Sequence, residues 1–408
     1  MSRLLSNQSY SDKRISDVLS NSECNQKRRE EMSRRSLLIA SLVGGSIACL
    51  PASGSLRADG PAGRSIGAPP VPAQLTGGKV TDGQRTAVHR MVDETSSKVI
   101  RLNPVRSEFG NVVVQAIATD PQGKIVAVAG DDHAIRILDS TTMELLATLQ
   151  GHTDLIQTLH FDPAGNRLVS AGNDGQLILW NRIAGFQIIQ QMQGTPALAC
   201  VRFSPDGQEM AAVGFNNQVY LIGRSKRSNQ PEVQCDCTDL RAVDYRGDGK
   251  LLVVAGRSGS LHLFDRPTYK LIGDYPIHSG RIHAIHFAKS SPVVVSVGED
   301  GAVVLFDTDT QKTVRRIVVT GGKLFSVCVL DRQRLAVAGS DNLIRIVNLA
   351  TAAEPETLEG HTGSVSTLAS SGSALFSGGY DATLRRWQLS SVTGNRDRIA
   401  ERELPIDR

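Results

Sequence analysis

Aromatic side chains are scarce in this 408-residue chain, at 4% of positions. So few flat rings exclude an extended base-stacking surface for single-stranded nucleic acid. Charge offers no other route to that class of partner. The formal net charge is +4, and residues 1–35 alone hold eight Lys/Arg against five Asp/Glu, so the rest is nearly neutral. Such a body has no general attraction for a phosphate backbone, and no nucleic-acid partner is expected. Cysteine is equally sparse: Cys24, Cys49, Cys200, Cys235, Cys237 and Cys328, with no CxxC among them. That excludes covalent haem attachment and gives no disulfide framework. Gly321-Gly322-Lys323-Leu324 lacks the rest of a phosphate-binding loop. Nothing here argues for an enzyme, and no cofactor is expected.

One stretch does lack charge altogether. Residues 36–56 carry none, and Met32-Ser33-Arg34-Arg35 stands directly before them. A basic end, an apolar stretch and small residues make a signal-peptide pattern. Ser33-Arg34-Arg35-Ser36-Leu37-Leu38 resembles the twin-arginine export signal, with Arg34 and Arg35 as its pair. It departs from that signal at Leu37 and Ile39. Two other fates stay open. The stretch is just long enough to span a bilayer, although Gly44-Gly45 and Pro51 suit a permanent span poorly, and Cys49 after Ser46-Ile47-Ala48 resembles a lipoprotein box. Cleavage near Ala58 would leave an exported, periplasmic or envelope protein; an uncleaved leader or lipid would be its only tie to a membrane. A cytoplasmic protein is the alternative. Residues 1–58 are thus read as a leader (core 32–58) and residues 59–95 as a Gly/Pro-rich linker.

The remainder repeats. An apolar strand, a polar turn, a second apolar strand, Gly-x-Asp or a relative and an alternating strand recur, as in LVSAGNDGQLILWN (168–181), VVSVGEDGAVVLFD (294–307) and LFSGGYDATLRRWQ (375–388). The turn position falls at Asp132, Asn216, Asp174, Ser258, Asp300, Asp341 and Asp381, spaced 40 to 42 residues apart in chain order. A glycine stands two residues earlier each time: Gly130, Gly172, Gly214, Gly256, Gly298, Gly339 and Gly379. Each unit holds about four short alternating strands. One such sheet cannot bury both faces alone; packing seven radially covers them.

These residues carry a family resemblance. Gly151-His152 and Gly360-His361 match the Gly-His pair of WD-repeat proteins, and Trp180-Asn181, Phe264-Asp265, Phe306-Asp307 and Trp387-Gln388 stand where Trp-Asp is usual. The resemblance implies an all-β, seven-bladed WD-repeat β-propeller with four-stranded antiparallel blades over residues 96–391, followed by a tail at 392–408. It also implies a stabilising network of His, Ser, Asp and Trp. Two blades carry all four, as His152, Ser170, Asp174 and Trp180, and as His361, Ser377, Asp381 and Trp387; a third has His278, Ser296, Asp300 and Phe306. A buried carboxylate needs donors, and the large ring keeps water out. Elsewhere Asn216 and Ser258 replace Asp, and Gly194 and Asp236 stand where His is expected, so those blades are expected to be weaker. The family usually closes its ring with an N-terminal strand, here Lys98–Asn103; Ile399–Leu404 is the competing segment.

Other chemistry is weakly signalled. His283 and His286 are three apart, so on a regular strand they point to opposite faces and cannot share a metal. Asp131-Asp132-His133 occupies a turn of the repeat, and no metal site is assigned. Cys235-Asp236-Cys237 reads as two buried or inert thiols, with redox and metal roles as alternatives.

Family members commonly bind proteins or peptides on the face made by the loops between strands d and a and between b and c. Transferred to this chain, that face offers Phe215, Arg241, Arg257, Arg281, His283, Lys323, Phe325 and Tyr380, interrupted by Asp239 and Glu299. Arginine and aromatics are the types enriched at binding hot spots. The expected function is a non-catalytic protein-interaction scaffold for a protein or acidic peptide, with a monomeric propeller. The alternative is an envelope enzyme or small-ligand binder that uses the propeller channel.

Overall fold

The computed structural model describes residues 97–105, 110–223, 233–288, 291–351 and 353–389. The chain divides into two units, Met1–Gly83 and Gln84–Arg408, and all described residues lie in the second. Arg34 and Arg35, the rest of the leader, and the segment Ile399–Leu404 fall outside them.

The described residues form seven four-stranded sheets, each antiparallel throughout. Their innermost strands, strand a of blades one to seven, are Val114–Thr119, Ile156–Phe161, Leu198–Phe203, Leu240–Tyr245, Ile282–Phe287, Leu324–Val329 and Val365–Ser371. Each a strand neighbours the next, and the seventh neighbours the first, so the sheets close into a seven-bladed β-propeller. No helix occurs among the described residues.

Alternation explains why the sheets stack. Strand b of blade one, Ile125–Gly130, is buried along its whole length, because both faces of a middle strand meet a neighbouring blade. The apolar core is correspondingly divided into seven clusters, each lying between two adjacent blades. Bonds between adjacent a strands reinforce the ring. The Phe203 amide donates to His160 Nδ1 at 3.2 Å, the Phe287 amide to Asp244 Oδ2 at 2.8 Å, and the Leu368 amide to Ser326 Oγ at 3.0 Å.

Closure comes from the N-terminal side. Ser97–Arg101 pairs along Thr383–Gln388 and supplies the outermost strand of blade seven. Leu102 and Ile100 then pack into the cluster joining blade seven to blade one. The Arg386 guanidinium donates to the Ser140 carbonyl across the same seam, at 2.9 Å.

Two regularities govern the face described below. Every a strand slips by one residue near its start, and the residues at the slip are Gln115, Gln157, Ala199, Arg241, His283, Phe325 and Ser366. A β-bulge of this kind re-aims side chains. The second concerns the recurrent glycine. A methyl group on any of Gly130, Gly172, Gly214, Gly256, Gly298, Gly339 or Gly379 would come within 2.6 Å of a backbone carbonyl oxygen of the adjoining loop. Close approach of two backbones, rather than an unusual φ, fixes this residue. Gly339→Ala should therefore cost about 1–3 kcal/mol through overpacking, measured as a lower midpoint in chemical denaturation at unchanged slope.

Candidate functional site

The network residues meet in three blades. His152, in the loop before strand a of blade two, places Nδ1 2.8 Å from Asp174 Oδ2 and Nε2 2.8 Å from Ser170 Oγ. Trp180 Nε1 donates to the same hydroxyl at 2.9 Å. The indole can only donate, so the proton order follows: indole to hydroxyl, hydroxyl to Nε2, Nδ1–H to carboxylate. Blade seven repeats it with His361, Ser377, Asp381 and Trp387, at 2.7–2.9 Å. In blade five His278 lies 2.8 Å from both Asp300 and Ser296. Phe306 has no N–H to give, and Ser296 Oγ lies 3.4 Å from the Val304 carbonyl. Arg316, not singled out from the sequence, adds a bond to Asp300 at 2.7 Å.

These environments move protonation equilibria one way. Burial pushes His278 and His361 below their ordinary 6.5, against the pull of Asp300 and Asp381. Burial works to raise Asp174, Asp300 and Asp381, but bonds from histidine, arginine, threonine and backbone amides outweigh it and hold all three below 3.8. Each shift makes the unfolded chain bind more protons than the folded one. The histidine contribution is present above pH 6.5 and is lost as pH falls below it; the carboxylate contribution is present above 3.8 and lost below. Thermal midpoints across pH 8 to pH 3 should thus fall in two stages, the second steeper.

The other four blades use a substitute. The residue four after the turn position takes over as partner: Arg136 to Asp132, Tyr220 OH to Asn216 at 2.8 Å, His262 to Ser258 at 3.4 Å, and Arg345 to Asp341 at 2.7 Å. Thr320 Oγ1 adds a second bond to Asp341, at 2.8 Å. In blades two and five that position holds Ile178 and Val304 instead. A polar residue four after the turn, wherever the loop histidine is missing, was the signal available in the sequence.

Cys235 and Cys237 are both buried free thiols just after the outer strand Val233–Gln234. Burial pushes Cys235 up to about 11. Cys237 lies lower than usual: burial would raise it, but His262 and Ser258 outweigh that effect. Asp131 and Asp132 are occupied by the Val113 amide and by Arg136. Among the described residues no three His, Cys, Asp or Glu gather as a metal site.

On the loop face, six of the eight singled-out residues form one cluster. Arg241 stacks over the Phe215 ring at 4.0 Å and lies 2.7 Å from Asp239. Arg281 bridges Asp239 at 2.8 Å and Glu299 at 3.6 Å. Lys323 and His283 approach the same Glu299 oxygen at 3.1 and 3.6 Å, and His283 meets the edge of Phe325 at 5.1 Å. Asp239 adopts φ 64°, a left-handed conformation that Asp tolerates better than most residues. Asp239 and Glu299 are therefore not interruptions: they are the centre that holds the cations in place. Burial pushes His283 down to about 4, against Glu299, so it is neutral near pH 7. Arg257 is exposed and forms no side-chain ion pair among the described residues, and Tyr380 is 58% exposed on blade seven; both stand outside the cluster.

His283 and His286 both lie along the central channel, but their contacts differ: His283 meets Glu299 and the Phe325 ring of blade six, whereas His286 Nδ1 lies 3.6 Å from Asp244 of blade four.

Comparison with known proteins agrees with this geometry. The family described as WD domain, G-beta repeat matches residues 143–181, 269–307 and 354–388. Three segments of the chain match that repeat, and the described residues form a seven-bladed β-propeller. Those three segments end on the blades that carry His152, His278 and His361, where the network is most complete. None of the curated proteins matches the chain. Propellers of that family commonly serve as protein-interaction scaffolds, and the ring described here presents its cation–aromatic cluster on the d–a and b–c loops.

Proposed function

We propose that this protein is an exported, non-catalytic scaffold whose propeller binds a protein or peptide carrying an acidic segment. The observation that carries the reading is the cluster on blades three to six. Arg241, Arg281 and Lys323 are held there beside Phe215 and Phe325, with Arg257 exposed next to them. Four cations against two carboxylates leave the sector positive, and the half-exposed aromatics Phe215 and Tyr380 give an incoming chain apolar surface to cover. Fixing arginines in advance lowers the entropy lost on binding. Export rests on the leader pattern around Arg34 and Arg35, with the linker 59–95 joining it to the ring.

Purified protein offered an array of Asp/Glu-rich and Lys-rich peptides tests the binding reading. Acidic peptides should be retained and released as salt rises, because exposed charge pairs are screened within about 8–10 Å at physiological ionic strength. Equal retention of both peptide sets would overturn it. The mass of the mature protein from its native host tests export, which predicts loss of the leader.

A further inference from the structure

We infer that the propeller channel is a binding site for a small multivalent oxyanion, a di- or tricarboxylate or a phosphate. The channel holds a cavity of about 370 Å³, within the lower range of small-molecule sites. The bulges place Gln115, Gln157, Arg241 and His283 around its mouth, and Arg202 and His286 line it further along the same strands. No Asp or Glu lines it.

Arg202 is the residue that asks for a ligand. It is half-buried on strand a of blade three, and among the described residues its one hydrogen bond is from Nη1 to the Val201 carbonyl, at 2.9 Å. No carboxylate among the described residues lies within ion-pair distance of it. The carboxylate nearest in kind is Asp244, at the same position of the next blade. Asp244 is buried and committed elsewhere, accepting from the Tyr245 amide at 3.0 Å and the Phe287 amide at 2.8 Å, with His286 Nδ1 3.6 Å away. A partly desolvated guanidinium without a counter-charge is costly, and its planar fork fits the two oxygens of a carboxylate or phosphate. Arg241, braced by Asp239 and Phe215, adds a second fixed positive charge at the mouth. The His283 imidazole and the Gln115 and Gln157 amides at the mouth can donate without adding competing negative charge.

The site shares Arg241 and His283 with the partner-binding cluster, but it centres on Arg202, and its test needs no partner. Inorganic phosphate and citrate are titrated into purified full-length protein by calorimetry, with sodium chloride as the control anion and no partner present. The wild type should bind one of them saturably at one site per chain, the tighter one telling phosphate from carboxylate. Arg202→Gln should weaken it at least tenfold, Arg202→Lys less, and Arg257→Glu on the outer face not at all. His286→Gln, at a half-exposed side chain, is the second variant and should weaken binding severalfold. Absence of saturable binding, displacement by chloride, or equal affinity in the Arg202 and His286 variants would overturn the inference.

Discussion

Trp387→Ala lowers the unfolding free energy by about 3–5 kcal/mol, the range for truncating a buried aromatic. Trp387 is 1% exposed, fills the cluster between blades six and seven, and stands opposite Ser97 of the closing strand. Its loss empties that cluster and removes the donor to Ser377 Oγ at 2.8 Å. Trp387→Phe separates the two effects. It keeps most of the apolar volume and loses the N–H, as blade five does naturally at Phe306, so it should cost only about 1–2 kcal/mol. Denaturant midpoints of the two variants against wild type make the measurement. Equal losses would mean that the indole bond, not packing, holds the seventh blade.

Deleting residues 97–103 from the full chain produces the other large effect. The deletion takes Ile100 and Leu102 out of the cluster that joins blade seven to blade one. At about 1.5–3 kcal/mol for buried Leu102 and less for partly buried Ile100, the loss is about 2–5 kcal/mol. It also leaves Thr383–Gln388 as an unpaired edge, a template for strand addition by another molecule. The expected outcome is a lower thermal midpoint together with new dimers or aggregates by light scattering. Unchanged stability and a monodisperse profile would place closure elsewhere in the chain.

The ring itself was legible because its cause is local and repeated. A glycine two residues before a turn recurs seven times because no methyl fits against the facing carbonyl. The three histidine networks were legible for a similar reason: Ser and Asp follow the histidine by 18 and 22 residues in blades two and five and by 16 and 20 in blade seven, with Phe306 in place of Trp in blade five. What escaped reading lies where one blade departs from the average. The slip at Ile282/Ala284 carries no residue signature. Arg136, Tyr220, His262 and Arg345 were visible four residues after their turns, but only the pairing shows that they stand in for histidine. The face was legible as a composition and not as an arrangement. Asp239 and Glu299 dilute a count of charges, yet in space each one braces two cations.

That bracing decides how the face is best challenged. Reversing Arg281 would tear the cluster from Asp239 and Glu299, whereas Arg257 and Lys323 are exposed and change the field without removing a keystone. Tagged full-length protein and its Arg257→Glu/Lys323→Glu variant are captured from native cells, and the co-purifying proteins are compared by mass spectrometry. The scaffold reading predicts a reproducible partner with an acidic segment, retained by wild type and lost from a variant whose thermal midpoint is unchanged. A partner held equally by both proteins would contradict the assignment of this face, and no partner with either would contradict the scaffold itself.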